Sequence, residues 1–194
     1  MAEVREGAWI QTYTGRQFWP MDARPEEVEI RDIAHALSML CRFNGHCTRY
    51  YSVAEHAVHV SRVVEARYAR WGLLHDAAEA YLSDLPKPIK RLLPEYHIWE
   101  GRLLAVIAQR FFLETTEVPQ AVMAADLALL ATEKVVLMQP EPAPWMDLPR
   151  PVPGLVIHAW SPEEAKQAFL ARFMELYPDW PVAEVHPLDA LPNS

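Results

Sequence analysis

The segment LLHDAAEA, residues 73–80, places a histidine and two acidic residues among apolar residues with helical periodicity. On a helix, His75 and Glu79 are four residues apart, and Asp76 and Glu79 are three apart, so the three side chains reach one side. An unpaired buried carboxylate is costly, and a divalent metal ion would offset that cost, because imidazole and carboxylate ligands suit zinc, iron, manganese or cobalt. The alternative is a solvated helix face on which an acid pairs with the histidine.

Two other predicted helices carry ligand-type residues in equally apolar surroundings. In SVAEHAVHV, residues 52–60, His56 and His59 lie among small and apolar residues. In AVMAADLALL, residues 121–130, Asp126 is the only charged residue. Each of these residues, taken singly, is more often a buried and hydrogen-bonded core group. Three helices that each offer such a set are hard to explain as coincidence, and together they predict a metal site.

With this pattern, the sequence resembles the HD-domain metal-dependent phosphohydrolases, an all-α family with the motif H…HD…D. The motif here is His56, then His75-Asp76, then Asp126. The HD-x-x-E run of the family's bacterial 5'-deoxynucleotidases and small deoxynucleotide phosphohydrolases is matched by His75, Asp76 and Glu79. The resemblance implies an all-α, HD-type helical bundle with a short N-terminal arm or hairpin.

Two further segments support the resemblance. The family's D-L-P-x-P-x-K segment is matched by DLPKPIK, residues 84–90. An early arginine–aromatic pair is matched by Arg42-Phe43, with phenylalanine where tryptophan is more usual. The resemblance covers about residues 42–134 and leaves the N-terminal arm and the proline-rich segment unaccounted for.

The resemblance implies a ligand set for one divalent metal ion, which could be Co, Mn, Zn, Fe or Mg. The ligands are His56, His75, Asp76 and Asp126. Two imidazoles and two carboxylates leave coordination positions open for water and a phosphate oxygen. His59 lies three residues from His56 and would replace it if the helix phase were wrong by one face; otherwise it is a core histidine or supports a ligand.

The same resemblance and the local charge pattern suggest roles for six more residues. Glu79 and Asp84 are the candidate catalytic carboxylates, and which of them orients water and which protonates the leaving oxygen stays open. The candidate phosphate-binding residues are Arg42, Lys87 and Lys90, with Arg42 best suited to bidentate binding. Phe43 can stack on a base or contact the sugar. For each basic residue the alternative is an ordinary solvated side chain.

The function that the resemblance implies is hydrolysis of a deoxynucleoside 5'-monophosphate to nucleoside and phosphate. A close rival is release of triphosphate from a deoxynucleoside triphosphate at the same site. A different class is a nucleotide-sensing module that retains the pocket without turnover. Such a retired catalyst could lose Glu79 and Asp84, and both are present in this sequence. A metal-dependent oxygenase on the same fold is a further alternative.

Composition limits the remaining possibilities. The chain of 194 residues is 51% apolar, enough for one domain spanning residues 1–194, and its net charge of −8 disfavours long nucleic acids as partners. No apolar run reaches the roughly 18 residues of a membrane span, and no secretory signal is visible, so we expect a cytoplasmic protein. A homodimer is plausible by resemblance; the apolar residues Leu103, Val106 and Ile107 fit a dimer contact or the core equally well.

The periodicity predicts helices over residues 31–42, 52–67, 69–82, 94–112, 119–138 and 162–176. SVAE at 52–55 and SPEE at 161–164 have the pattern of capping boxes. Residues 9–19 are predicted as a hairpin turning near Gly15 or as an irregular arm. Six prolines between Gln139 and Gly154 forbid a continuous helix and predict a surface excursion over about residues 139–160. Cys41 and Cys47 are expected to be free thiols in or near the core.

Overall fold

The helical periodicity of the sequence is realised in eight α-helices within residues 5–145 and 148–181, which the computed structural model describes. In chain order the elements are strands β1 (Ile10–Gln11) and β2 (Gln17–Phe18) and helices α1 (Ile30–Met39), α2 (Val53–Val63), α3 (Ala69–Leu74), α4 (Glu79–Leu82), α5 (Lys87–Lys90), α6 (Pro94–Arg110), α7 (Gln120–Leu137) and α8 (Pro162–Leu176). The all-α class is confirmed. The ends of the helices predicted over 31–42, 52–67, 94–112 and 119–138 lie within four residues of the observed ends.

Two helices begin at serine caps, but the caps differ. At α8, Ser161 and Glu164 form the predicted reciprocal capping box, and Pro162 occupies the first turn, where it needs no N–H partner. At α2, the Ser52 side chain accepts the Glu55 N–H at 3.0 Å. The Glu55 carboxylate does not return to Ser52; instead, it accepts the N–H groups of residues 158–160. The capping box predicted at α2 is therefore only half formed.

The continuous helix predicted over residues 69–82 is wrong, because it breaks at the His–Asp pair. Helix α3 ends at Leu74, and α4 begins at Glu79. The turn between them is held by i→i+3 bonds, in which the Ala77 N–H donates to Leu74 O at 3.0 Å. The Gly72 carbonyl, which would accept a backbone N–H in a longer helix, hydrogen-bonds to His75 Nδ1 at 2.9 Å. The histidine side chain thus replaces a helical bond and is oriented by it.

Helices α2 and α3 pack closely because their crossing point is a glycine. A Cβ atom at Gly72 would lie 2.8 Å from the Ser61 Cα atom, which is backbone and cannot move aside cheaply. This close approach brings the residues that follow α3 toward α2. It therefore positions His75 beside His56.

The main core lies between α1, α2, α3, α6 and α8, with contributions from the N-terminal segment. Leu103 and Ile107, which the sequence assigned equally to the core or to a dimer contact, are fully buried in this core. Val106 is partly buried against it. These residues are therefore explained by core packing, and they give no independent support to the homodimer prediction.

The N-terminal segment forms the predicted hairpin, with two-residue strands pairing Ile10 with Phe18 and Gln11 with Gln17. Gly15 turns the chain with φ +81°, a conformation that glycine adopts readily. The buried Asp32 carboxylate of α1 accepts the Thr14 N–H at 2.7 Å. This contact anchors the hairpin to the helices.

The proline-rich segment contains no α-helix in its described residues, and residues 146–147 lie outside the described part. Ile157 packs with Tyr51 and Leu137. Cys41 and Cys47 are half-buried free thiols, as predicted, with Sγ atoms 3.5 Å apart. In the described chain no helix is both long and apolar enough to cross a membrane.

Candidate metal centre and its pocket

Three side chains from distant parts of the chain converge at one point. The His56 Nε2 atom of α2 lies 3.2 Å from Asp126 Oδ1 of α7 and 3.3 Å from His75 Nε2 in the turn after α3. The ligand atoms of all three residues lie within 4.8 Å of one another. Imidazole nitrogens and a carboxylate oxygen at this separation can share one metal ion, so the structure contains a candidate metal site made of His56, His75 and Asp126.

Asp76 lies at the edge of this group. Its Oδ2 atom is 3.2 Å from His75 Nε2, 3.7 Å from His56 Nε2 and 3.8 Å from Arg42 Nη1. It is not part of the mutually close set that His56, His75 and Asp126 form. The structure brings Asp76 to the cluster, and its role as a fourth ligand stays a prediction.

His59 does not join the cluster, although it shares α2 with His56. Its ring stacks against His158 and Trp160, with centroids 6.1 and 5.7 Å away. Its Nε2 atom lies 3.5 Å from Glu55 Oε1. Of the two histidines in this helix, His56 faces the other candidate ligands.

Glu133, a fully buried glutamate of α7, holds the cluster in place and was not predicted from the sequence as a site residue. Its carboxylate lies 2.7 Å from His56 Nδ1, accepts the Tyr51 hydroxyl at 2.9 Å, and accepts Arg42 Nε and Nη2 at 3.1 and 3.0 Å. An Nδ1–H that donates to Glu133 leaves His56 Nε2 available as a ligand. The available signal was spacing, because Glu133 follows Asp126 by two helical turns and so shares its face.

The charges of this network are strongly coupled. Burial and Arg42 lower the pKa of His56, but Glu133 and Asp126 outweigh them and raise it to about 9. Burial raises the pKa of Glu133, yet Arg42 and His56 bring it down to about 2. The pKa values of Asp76 and Asp126 lie well below their usual range despite burial, because of His75 and His56. The acidic groups therefore favour positive charge where the three ligand atoms meet.

Arg42, which is predicted to bind phosphate, contacts two carboxylates of the protein itself. Its Nε and Nη2 atoms contact Glu133, and Nη1 faces Asp76. The Nε–Nη2 edge of the guanidinium is thus used within the protein, and bidentate phosphate binding by Arg42 stays a prediction. Arg42 Nη1 still faces the cluster.

The cluster opens into a pocket of about 740 Å³ that gathers most of the remaining predicted site residues. One side is basic, with Lys87, Lys90 and Arg91. Another side is apolar, with Leu130, Met138, Trp145 and Leu148. Phe43, Glu79 and Asp84 also line the pocket. Lys87 is exposed, whereas Lys90 is mostly buried and forms a short ion pair with Glu100.

The carboxyl groups of Glu79 and Asp84 line the pocket, and the pKa of each is raised above its ordinary value. Burial raises the pKa of Glu79 well above its ordinary value, and Asp76 and Asp84 add to this effect. Burial also raises the pKa of Asp84, with Arg42 opposing the shift and Asp76 adding to it. Glu79 Oε2 is buried and has no hydrogen-bond partner in the described structure. Both shifts favour the protonated form, the direction that suits a proton donor.

The loop that carries Arg42 and Phe43 has an unusual backbone. Phe43 and Asn44 have φ values of +55° and +52°, in the left-handed region that non-glycine residues rarely adopt. Such a conformation costs on the order of 1–3 kcal/mol per residue and is common at functional sites. Here it turns Phe43 toward the pocket while Arg42 reaches Glu133.

No known protein-family model matches this chain. The chain is 42% identical over 127 residues to Uncharacterized protein YfdR of Escherichia coli (strain K12), an alignment that covers 66% of this chain and 71% of YfdR. It is 33% identical over 183 residues to Uncharacterized protein RCAP_rcc00048 of Rhodobacter capsulatus, covering 85% of this chain and 93% of that protein. The chain therefore belongs to the family of these two uncharacterised bacterial proteins.

Proposed function

We propose that this protein is an HD-type metal-dependent phosphohydrolase that converts deoxynucleoside 5'-monophosphates to nucleosides and phosphate. The observation that carries the proposal is the convergence of His56, His75 and Asp126 beside a 740 Å³ pocket. The pocket also contains carboxyl groups of raised pKa and a basic side, which suit a phosphate ester. The motif resemblance supplies the reaction class and the HD-type description of the helical bundle.

The ligand set in this proposal is His56, His75, Asp76 and Asp126, with Glu133 holding His56. A divalent ion at this position would supply water activation and polarisation of the phosphoryl group. Glu79 or Asp84 accepts a proton from water in its ionised form or donates one to the leaving oxygen in its protonated form. Lys90 and Lys87 attract the phosphate from the basic side of the pocket.

A second candidate in the same class releases tripolyphosphate from deoxynucleoside triphosphates. The three basic residues Lys87, Lys90 and Arg91 of the pocket favour it, since a triphosphate carries more negative charge than a monophosphate. A nucleotide-sensing module without turnover would use the same pocket. Such a sensing module would not need the two carboxyl groups of raised pKa, Glu79 and Asp84.

Product analysis separates these candidates. The purified protein is loaded in turn with Co, Mn, Zn, Fe and Mg and incubated with deoxynucleoside mono- and triphosphates. Inorganic phosphate from dAMP supports the monophosphatase, and tripolyphosphate from dATP supports the rival. Nucleotide binding without any product would support the sensing module. If neither hydrolysis nor binding is found with any of these metals, the proposed function is wrong.

The ligand assignment is tested with Asp76→Ala. We expect this variant to lose phosphate release and metal retention together, because the cluster loses a charged oxygen beside His75 and His56. Metal content and product release are measured on the same preparation. Asp179→Ala, at an exposed aspartate outside this pocket, is the matched control and should retain both. Full activity in Asp76→Ala would overturn the assignment.

A further inference from the structure

The metal pocket has an apolar side that the proposed metal and phosphate chemistry does not use. Trp145 lies on it, in the proline-rich segment that the motif resemblance does not cover. Its ring centroid is 6.3 Å from that of Phe43, and the ring planes are tilted by 59°. Leu130 and Met138 of the same pocket extend this apolar side. The lining of the pocket thus combines charged and aromatic residues.

Trp145 is held in position by two charged residues. The Lys134 ammonium lies 5.4 Å from the centroid of the Trp145 ring, a cation–π arrangement. Glu141 forms a short ion pair with Lys134 and accepts the backbone N–H of Trp145 at 3.3 Å. A half-buried indole fixed in this way loses little further freedom when it contacts a ligand.

We propose that Trp145 and Phe43 form the binding site for the base of the substrate, with Trp145 as the main stacking surface. This inference rests on the proposed function and names the part of the substrate that the apolar side recognises. A flat ring between two parallel aromatic rings needs about 7 Å between their centroids, twice the usual contact distance of about 3.5 Å. The observed rings are 6.3 Å apart but tilted by 59°, so they leave no slot between them, and the base stacks on Trp145 with Phe43 beside it.

The recognition is expected to be tolerant of base identity. Stacking uses the face of a base, which all bases have, and Leu130 and Met138 beside it offer no strong hydrogen-bond donors or acceptors, whereas Asn44 and His46 in the same pocket can contact a base edge. Stacking on Trp145 therefore distinguishes nucleotides from sugar phosphates, and any preference among bases would come from polar residues such as Asn44 and His46.

The test compares a substrate with a base, dAMP, and one without it, 2-deoxyribose 5-phosphate. In Trp145→Ala we expect KM for dAMP to rise about tenfold or more, with kcat nearly unchanged, as loss of a base–aromatic stack predicts. KM for deoxyribose 5-phosphate should not change. Trp145→Phe should restore most of the affinity for dAMP, because it retains an aromatic face. Trp99→Ala, at an exposed tryptophan of α6 outside the pocket, is the control and should resemble the wild type.

Equilibrium binding of a non-hydrolysable phosphonate analogue of dAMP, measured by calorimetry, makes the test independent of turnover. A tenfold weaker affinity in Trp145→Ala, with no hydrolysis by the wild type, would support the base site while the proposed function fails. Equal losses for dAMP and deoxyribose 5-phosphate, or no loss for either, would overturn the base site while leaving the hydrolase proposal intact. Absence of analogue binding by the wild type would overturn the base site.

Discussion

Within the described residues, the two glutamates with no exposed surface are Glu55 and Glu133, and their carboxylates have different roles. Glu55 of α2 accepts the backbone N–H groups of His158, Ala159 and Trp160 at 2.8, 2.9 and 2.7 Å. Glu133 of α7 instead binds the side chains of Arg42, Tyr51 and His56. Burial of a carboxylate is costly in both cases, and in both the protein compensates with several donors.

The difference lies in what the donors control. Backbone donors fix the path of the chain, so Glu55 secures the segment that leads into α8. Side-chain donors carry chemistry, so Glu133 fixes a candidate metal ligand and an arginine of the pocket with one carboxylate. Two carboxylates with the same burial can therefore have different roles. Backbone partners indicate that a carboxylate stabilises the fold, and side-chain partners indicate that it positions the site.

The largest effect is expected from Glu133→Gln, which retains the shape and removes the charge. Arg42 then lacks its buried counter-charge, and His56 loses a strong acceptor. We expect the metal-free protein to lose about 3–5 kcal/mol of unfolding free energy. Metal affinity should fall about 10–100-fold. Urea unfolding and metal titration by calorimetry measure the two quantities.

The matched control is Glu175→Gln, at a glutamate of α8 with a mostly exposed side chain. It should change neither quantity appreciably. Unchanged metal affinity in Glu133→Gln would contradict the role of this carboxylate in holding His56, whatever happens to stability.

An intermediate effect is expected from Glu55→Gln, which weakens three charge-assisted bonds to backbone amides. We expect a loss of about 2 kcal/mol in unfolding free energy and faster amide exchange at residues 158–160. Metal affinity should stay within about threefold of the wild type, since no candidate ligand depends on this carboxylate. Hydrogen exchange and the same metal titration measure these outcomes. A loss of metal affinity as large as that of Glu133→Gln would erase the distinction between the two glutamates.

The smallest effect is expected from Tyr51→Phe, which removes one neutral donor to Glu133 and leaves its charged partner Arg42 in place. We expect a loss of about 1 kcal/mol in unfolding free energy, the usual contribution of one hydrogen bond. Metal affinity should be almost unchanged. If this variant weakened metal binding as much as Glu133→Gln, the hydroxyl rather than the charge would be the important partner.

Much of the local structure could be predicted from the sequence. The range of α8 was predicted correctly because its serine, proline and glutamate cap acts within four residues. The isolated His56 and Asp126 were recognised because a polar residue in an apolar helix is unusual wherever it occurs. The break after Leu74 was not predicted, since LLHDAAEA has helical propensity throughout and only the His75 bond to Gly72 changes the outcome.

What the sequence determined by itself is the approximate range of the long helices, which are α1, α2, α6, α7 and α8, and the residues that need a partner, because propensity, capping and the cost of burial act locally. What only the tertiary structure decided is which partner each residue has. Glu133 meets His56 across 77 residues of chain, and Glu55 meets Trp160 across 105. No local pattern specifies such pairs, because they depend on how α2, α7 and the segment before α8 pack together, and that packing is set by the whole core.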